Sequence, residues 1–262
     1  MASFALLAAI MMAATFTACS NDDNPGNDKP FNVDNATLVT NDAELRSAIT
    51  NGASIRLVND IQLSNSTLSI AEGTKVTINL GGHTLDRGLT KREYNTGGQV
   101  FTVRKGATLN LSNGTLTGGW GGDGGGIANE GGTANLTNVT ITGNHADDRG
   151  GGISNRGTLT MIGGSITNNK CNDRVKPAGG GGIFNAEGAT ATLTGVTITG
   201  NEAVTYGGGG INNFGTLTID GCTITGNTAN AYGGGCVTRQ QRGAVVYTEQ
   251  HQLHRALLGR RE

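Results

Sequence analysis

The sequence predicts an all-β chain wound as a right-handed parallel β-helix, a solenoid of about seven coils with a short N-terminal capping helix. Three observations predict it. Glycine supplies 45 of 262 residues, far above its usual share of about 7%. Proline supplies only 3, which excludes collagen and Pro/Gly-rich linkers. A box Gly-Gly-Gly-Ile recurs with its isoleucine at Ile127, Ile153, Ile183 and Ile211, at spacings of 26, 30 and 28 residues, and a broken copy 25 residues on carries Cys236. Within each recurrence the apolar residues alternate, as in Val139 and Ile141, Val196 and Ile198, or Leu217 and Ile219, which is the period of a strand with one face inward.

The first residues are not part of that fold. Residues 4–18 form an apolar run, too short to span a bilayer comfortably. We read residues 1–18 as an export signal peptide. Phe16-Thr17-Ala18-Cys19 resembles the lipobox of bacterial lipoproteins, which implies cleavage before Cys19 and lipidation of its thiol. The following Ser20-Asn21-Asp22-Asp23 resembles the acidic tether of surface-exposed Bacteroidetes lipoproteins. A plain cleaved signal with an incidental cysteine is the alternative. Residues 19–36, poor in apolar side chains, form a lipid-anchored flexible tether. The expected location is therefore the outer membrane, lipid-anchored and exposed at the cell surface.

The β-helix is expected over residues 37–235. At its start Asn41 and Glu44 have capping-box spacing. Leu45, Ala48 and Ile49 make one apolar stripe, and Gly52 suits the C′ position, so a short helix should cover the first coil. Ile55 and Leu57, Val76 and Ile78, Phe101 and Val103, and Leu109 and Leu111 then alternate as irregular early coils. From Ile127 on the repeat is regular. Two residues after each isoleucine stands an asparagine: Asn129, Asn155, Asn185 and Asn213. Stacked coils place these above one another at about 4.8 Å, so they should form a hydrogen-bonded ladder. Two further strands per coil are centred on Leu136, Leu159, Leu193 and Leu217, and end at Ile141, Ile166, Ile198 and Ile224. Three units close on Gly-Asn, at Asn144, Asn201 and Asn227, with Asn168 near that place in the fourth.

On these residues the chain resembles two groups of β-helices. Residues 42–88, with Val-Thr-Ile-Asn-Leu-Gly-Gly-His-Thr-Leu, are similar to the N-terminal part of pectin-lyase-like proteins. The Gly-Gly-Gly-Ile-x-Asn boxes resemble the repeats of polymorphic outer-membrane proteins and β-helical adhesins. The first resemblance implies a polysaccharide lyase or glycoside hydrolase, and the second a surface adhesin or glycan-binding scaffold.

Catalysis on such a rod needs acids at one repeat phase on neighbouring coils, either as a carboxylate pair or holding Ca²⁺ beside a basic residue. The strand phases carry Thr, Asn and Gly instead. The segments before each Gly-Gly-Gly, read as loops stacked on one edge, hold the best candidates. His145, Asp147, Asp148 and Arg149 combine a base, two acids and a cation; a solvated turn is the other reading. Trp120, Asp123, Tyr206 and Tyr232 are candidate ligand-binding residues, since aromatic faces stack on sugar rings. No Cys or His spacing suggests a metal site, and no cofactor is expected unless the lyase reading brings Ca²⁺. A net charge of −1 argues against nucleic acid as partner. The expected partner is a surface glycan or a host or neighbouring cell surface, and the membrane is met through the lipid anchor alone.

The composition breaks at the last box. Residues 179–235 hold 17 glycines and residues 236–262 hold 2. Residues 236–262 are accordingly a non-repeat tail, for which a shifted reading frame and a real basic tail are the two explanations.

Overall fold

A computed structural model describes residues 35–64, 66–91, 98–172, 179–205, 207–230, 233–238 and 245–248. The chain is a right-handed parallel β-helix. Among the described residues all strand pairs are parallel and fall into three sheets. Each sheet collects one segment from successive coils, because a unit of 25 to 30 residues with no room for a crossover helix can bury its apolar face only against its own copy.

The first sheet stacks Ser54–Leu57, Lys75–Asn79, Thr108–Thr117, Thr133–Thr142, Thr158–Ile162, Thr190–Thr194 and Thr216–Asp220, seven coils. Thr37–Val39 precedes them and Val245–Thr248 follows. A second limb of the same sheet carries Thr84–Asp86, Ser165–Thr167, Thr197–Thr199 and Thr223–Thr225. The limbs meet at a corner occupied by Asn113, Asn138, Gly163, Gly195 and Gly221, all at positive φ, a region open to Gly and tolerated by Asn. The second sheet stacks the boxes, pairing Ile127 with Ile153, Ile153 with Ile183, Ile183 with Ile211 and Ile211 with Cys236. These four isoleucines are fully buried.

The glycines ahead of each isoleucine serve close backbone approach. The Gly152 N–H donates to the Gly182 carbonyl at 3.0 Å, and a Cβ on Gly182 would lie 2.6 Å from the Gly210 carbonyl oxygen. No L side chain fits there, and no helix follows to make a phosphate loop.

Four expectations need correction. The segments ahead of each Gly-Gly-Gly begin as strands rather than loops. Trp120–Asp123, His145–Arg149, Lys170–Cys171, Glu202–Ala203 and Thr228–Ala229 form the third sheet, so a middle coil has four strand segments, not three. Second, the leucines sort into two inward rows. Leu136 stacks on Met161 and then Leu193, while Leu159 lies between Ala134 and Ala191, followed by Leu217. Third, Asn169 rather than Asn168 occupies the Gly-Asn place. Asn168 takes the preceding glycine's role at φ 53°, beside Gly143 and Gly200 at 64° and 67°. Fourth, the helix is Asp42–Ala48 with Ile49 as its C-cap, so Gly52 is not its C′ residue. Gly52 instead turns the chain at φ 80° and donates to the Lys75 carbonyl at 2.8 Å.

At the helix start the Asn41 side chain accepts from the Glu44 N–H at 3.0 Å. Glu44 Oε2 reaches back to the Thr40 N–H at 2.7 Å, one residue further than a capping box. Leu45 is buried in the rod's core, with Ala48 and Ile49 packed against it. Beyond residue 235, Cys236–Thr238 joins the second sheet and Val245–Thr248 the first, both in register. The signal, Cys19 and the tether up to residue 34 lie outside the described residues, as do most of residues 236–262.

Candidate functional site

Two buried asparagine ladders fix the register of the described candidate residues. In the first, Asn129 Nδ2 donates to Asn155 Oδ1 at 2.8 Å, Asn155 to Asn185 at 2.8 Å and Asn185 to Asn213 at 2.7 Å. Each of these amides also donates to a backbone carbonyl of the next coil, at Thr158, Thr190 and Thr216. In the second, Asn144, Asn169, Asn201 and Asn227 are linked the same way at 2.8 to 3.1 Å, and each backbone N–H donates to the next side-chain oxygen as well. All but the terminal Asn227 are buried, so each amide must find its partners inside the protein.

The second ladder sets the third sheet, because its strands begin one residue later. Trp120, His145, Lys170, Glu202 and Thr228 therefore form one column. Behind it, Gly121, Ala146, Cys171, Ala203 and Ala229 form the inward row, all small enough for a thin coil. Neighbours along the outward column pair chemically. The Trp120 and His145 rings stack with centroids 4.5 Å apart and planes at 22°. Lys170 Nζ meets Glu202 Oε2 at 2.9 Å. Burial holds the His145 imidazole below its usual pKa; the Lys170 cation adds to this, and the Glu202 and Asp147 carboxylates work against it.

The proposed acids are committed to this framework. Asp147 is only 1% exposed, and its Oδ1 accepts from the Trp120 indole N–H at 3.2 Å and the Asn172 amide at 2.9 Å. A buried carboxylate needs such donors to offset its lost hydration. Asp123 meets Arg156 Nη2 at 2.7 Å and Arg149 Nη1 at 3.6 Å. Arg149 also places its guanidinium over the Phe184 ring, 5.6 Å from the centroid. Asp148 is half-buried on the same strand. The structure thus unites His145, Asp147 and Arg149 with Trp120 and Asp123 on neighbouring coils. Tyr206 and Tyr232 lie outside the described residues.

Sequence reasoning missed Lys170, Asn172 and Glu202. Aligning the coils on Asn144, Asn169 and Asn201 would have found the first and third. Among the described residues no group of three His, Cys, Asp or Glu side chains could hold a metal ion. No helix there is long and apolar enough to cross a membrane.

No curated protein and no solved structure matches the chain significantly. Residues 138–156 match the family model of the Chlamydia polymorphic membrane protein (Chlamydia_PMP) repeat. The matched stretch starts at the corner residue Asn138, contains one member of each ladder, Asn144 and Asn155, and spans the whole strand His145–Arg149. Over that part of one coil the chain is similar to the repeat of these membrane proteins.

Proposed function

We propose that this chain is a non-catalytic β-helical adhesin or glycan-binding scaffold of the outer membrane, anchored through lipid on Cys19 and displayed at the cell surface. The observation that carries the non-catalytic part is the commitment of Asp147, the buried candidate acid, to Trp120 and Asn172. A second support is the likeness of residues 138–156 to a membrane-protein repeat. The ligand edge in this reading is the outward column from Trp120 to Thr228. The half-exposed Trp120 ring, stacked on His145, is the aromatic group this reading offers to a sugar ring.

The enzymatic alternative draws on one feature. His145, held below its usual pKa, is neutral near pH 7 and so is in the form a general base needs. A Ca²⁺-dependent lyase assay on uronate polysaccharides, read as absorbance of the unsaturated product, separates the two. We expect no product, together with retention of the chain on glycan-coated surfaces and its weakening by Trp120→Ala. Product formation that disappears in Asp147→Ala or Arg149→Ala overturns the reading. For the anchor, Cys19→Ser should release the protein from the membrane fraction, and protease added to intact cells should digest the wild type. Full protection there argues for the inner leaflet.

A further inference from the structure

The second limb of the first sheet carries a feature that the adhesin reading does not use. Five successive coils each turn a pair of hydroxyl side chains outward, from Thr115 and Thr117 through to Thr223 and Thr225. Nine of the ten are threonine, and the exception is Ser165. The pairs are in register: Thr140 faces Ser165, and Thr142 faces Thr167. The next two coils repeat this with Thr197 and Thr199, then Thr223 and Thr225. Between each pair an apolar residue points inward, and Leu116, Ile141, Ile166 and Ile198 are fully buried.

Side chains two residues apart on a strand are about 6.7 Å apart, and neighbouring coils about 4.8 Å. The ten hydroxyls therefore occupy a rectangular net of two columns and five rows. Sheets ordinarily twist, and side-chain ladders are one device that keeps them flat. Here one ladder, Asn144, Asn169, Asn201 and Asn227, runs along the corner that ends this limb. Between the second and third rows the hydroxyls bond one another, with Ser165 Oγ donating to Thr140 Oγ1 at 3.3 Å and Thr167 Oγ1 to Thr142 Oγ1 at 3.0 Å. Gly143, Gly200 and Gly226 stand at the adjoining corner, so three of its residues raise no side chain beside the net. None of the ten positions carries a charge or an aromatic ring.

We propose that this face binds ice. Hexagonal ice presents its surface oxygens on a repeating net of comparable dimensions. A rigid row of hydroxyl and methyl groups orders first-shell water on that spacing without adding a charge for water to reorient around. The chemistry of the face also separates ice from other occupants. The net offers no aromatic face on which a sugar ring could stack and no charge for an ionic surface. This inference is independent of the adhesin reading, which concerns the edge from Trp120 to Thr228.

The test is ice growth in solutions of the purified full chain, measured as thermal hysteresis and as inhibition of recrystallisation. The wild type should show both. Thr167→Tyr, at the centre of the net, should lose most of each while its melting curve stays near that of the wild type. Lys105→Tyr, in an exposed turn away from the net, should keep both. If Thr167→Tyr does not fold, Thr225→Tyr at the exposed end of the net takes its place and should show a partial loss. A wild type with neither effect overturns the proposal, and so does a folded net variant that retains full activity.

Discussion

The side-chain amide of Asn155 donates to the side-chain carbonyl of Asn185 at 2.8 Å, one coil further along the rod. That bond belongs to a set. The Asn155 oxygen accepts from Asn129 at 2.8 Å, and its nitrogen also reaches the Thr190 carbonyl at 3.0 Å. Because the group is fully buried, removing it strands several partners at once.

Asn155→Ala should therefore cost on the order of 3 kcal/mol, the sum of a few buried hydrogen bonds at about 1 kcal/mol each. Asn135→Ala is the contrast. Its amide bonds Asn110 at 2.8 Å on the half-exposed outer face, where water replaces the lost partner, so the cost should stay below about 1 kcal/mol. Urea unfolding of both variants measures the difference, and equal costs would mean that the ladder is not special.

The isoleucine row offers a graded series. Ile183 lies between Ile153 and Ile211 with no exposed surface. Ile183→Val should cost about 1 kcal/mol and Ile183→Ala about 2 to 5 kcal/mol. Ile183→Asp should abolish the fold, since an unpaired buried charge has no compensation. Circular dichroism and melting curves read all three.

The second corner tests backbone conformation alone. Asn168 sits at φ 53° where Gly143 and Gly200 sit in neighbouring coils. Asn168→Gly should be nearly neutral. Asn168→Val should cost about 1 to 2 kcal/mol, because a β-branched residue is strained in the left-handed region. The two melting temperatures, compared in one buffer, check the pair.

His145 makes stability depend on pH. Its pKa in the folded protein lies below the usual value near 6.5. Between the two values the unfolded chain binds more protons than the folded one, so stability rises with pH. The contribution is complete above the unfolded value and falls away as pH drops toward the folded one. Urea unfolding at pH 7.5 and 5.5 should show a larger loss in the wild type than in His145→Phe. The same slope in both would remove His145 as the cause.

Much of this architecture was legible in the sequence because the boxes repeat one residue type at one place. Isoleucine recurs at Ile127, Ile153, Ile183 and Ile211, and asparagine two residues later, so row and ladder follow from spacing. The third sheet was illegible for a physical reason. Its inward residues are Gly121, Ala146, Cys171 and Ala203, too small to give an apolar alternation. The leucine rows were misread because Ala134 and Ala191 stand where a neighbouring coil has Leu159. At the site, the partners of Asp147 lie 27 residues before it and 25 after. Local sequence shows no partner for such an acid, and only the register brings Trp120 and Asn172 to it.

Each inner asparagine of the first ladder gives one hydrogen bond forward and takes one from behind, with the same two atoms on every coil. At this ladder the joint between coils is thus the same wherever the chain is cut in phase. Excising residues 156–185 would set Asn155 directly against Asn213 and Ile153 against Ile211, pairs that differ in nothing from those they replace. Recombination between repeats of one gene can therefore lengthen or shorten the rod by whole coils with the isoleucine row and the ladder intact, and the joint that must be repacked is the leucine row, where Ala134 would meet Ala191 in place of Leu159. Variation in reach then asks for new packing at one inward row only, while the outward side chains remain free to diverge.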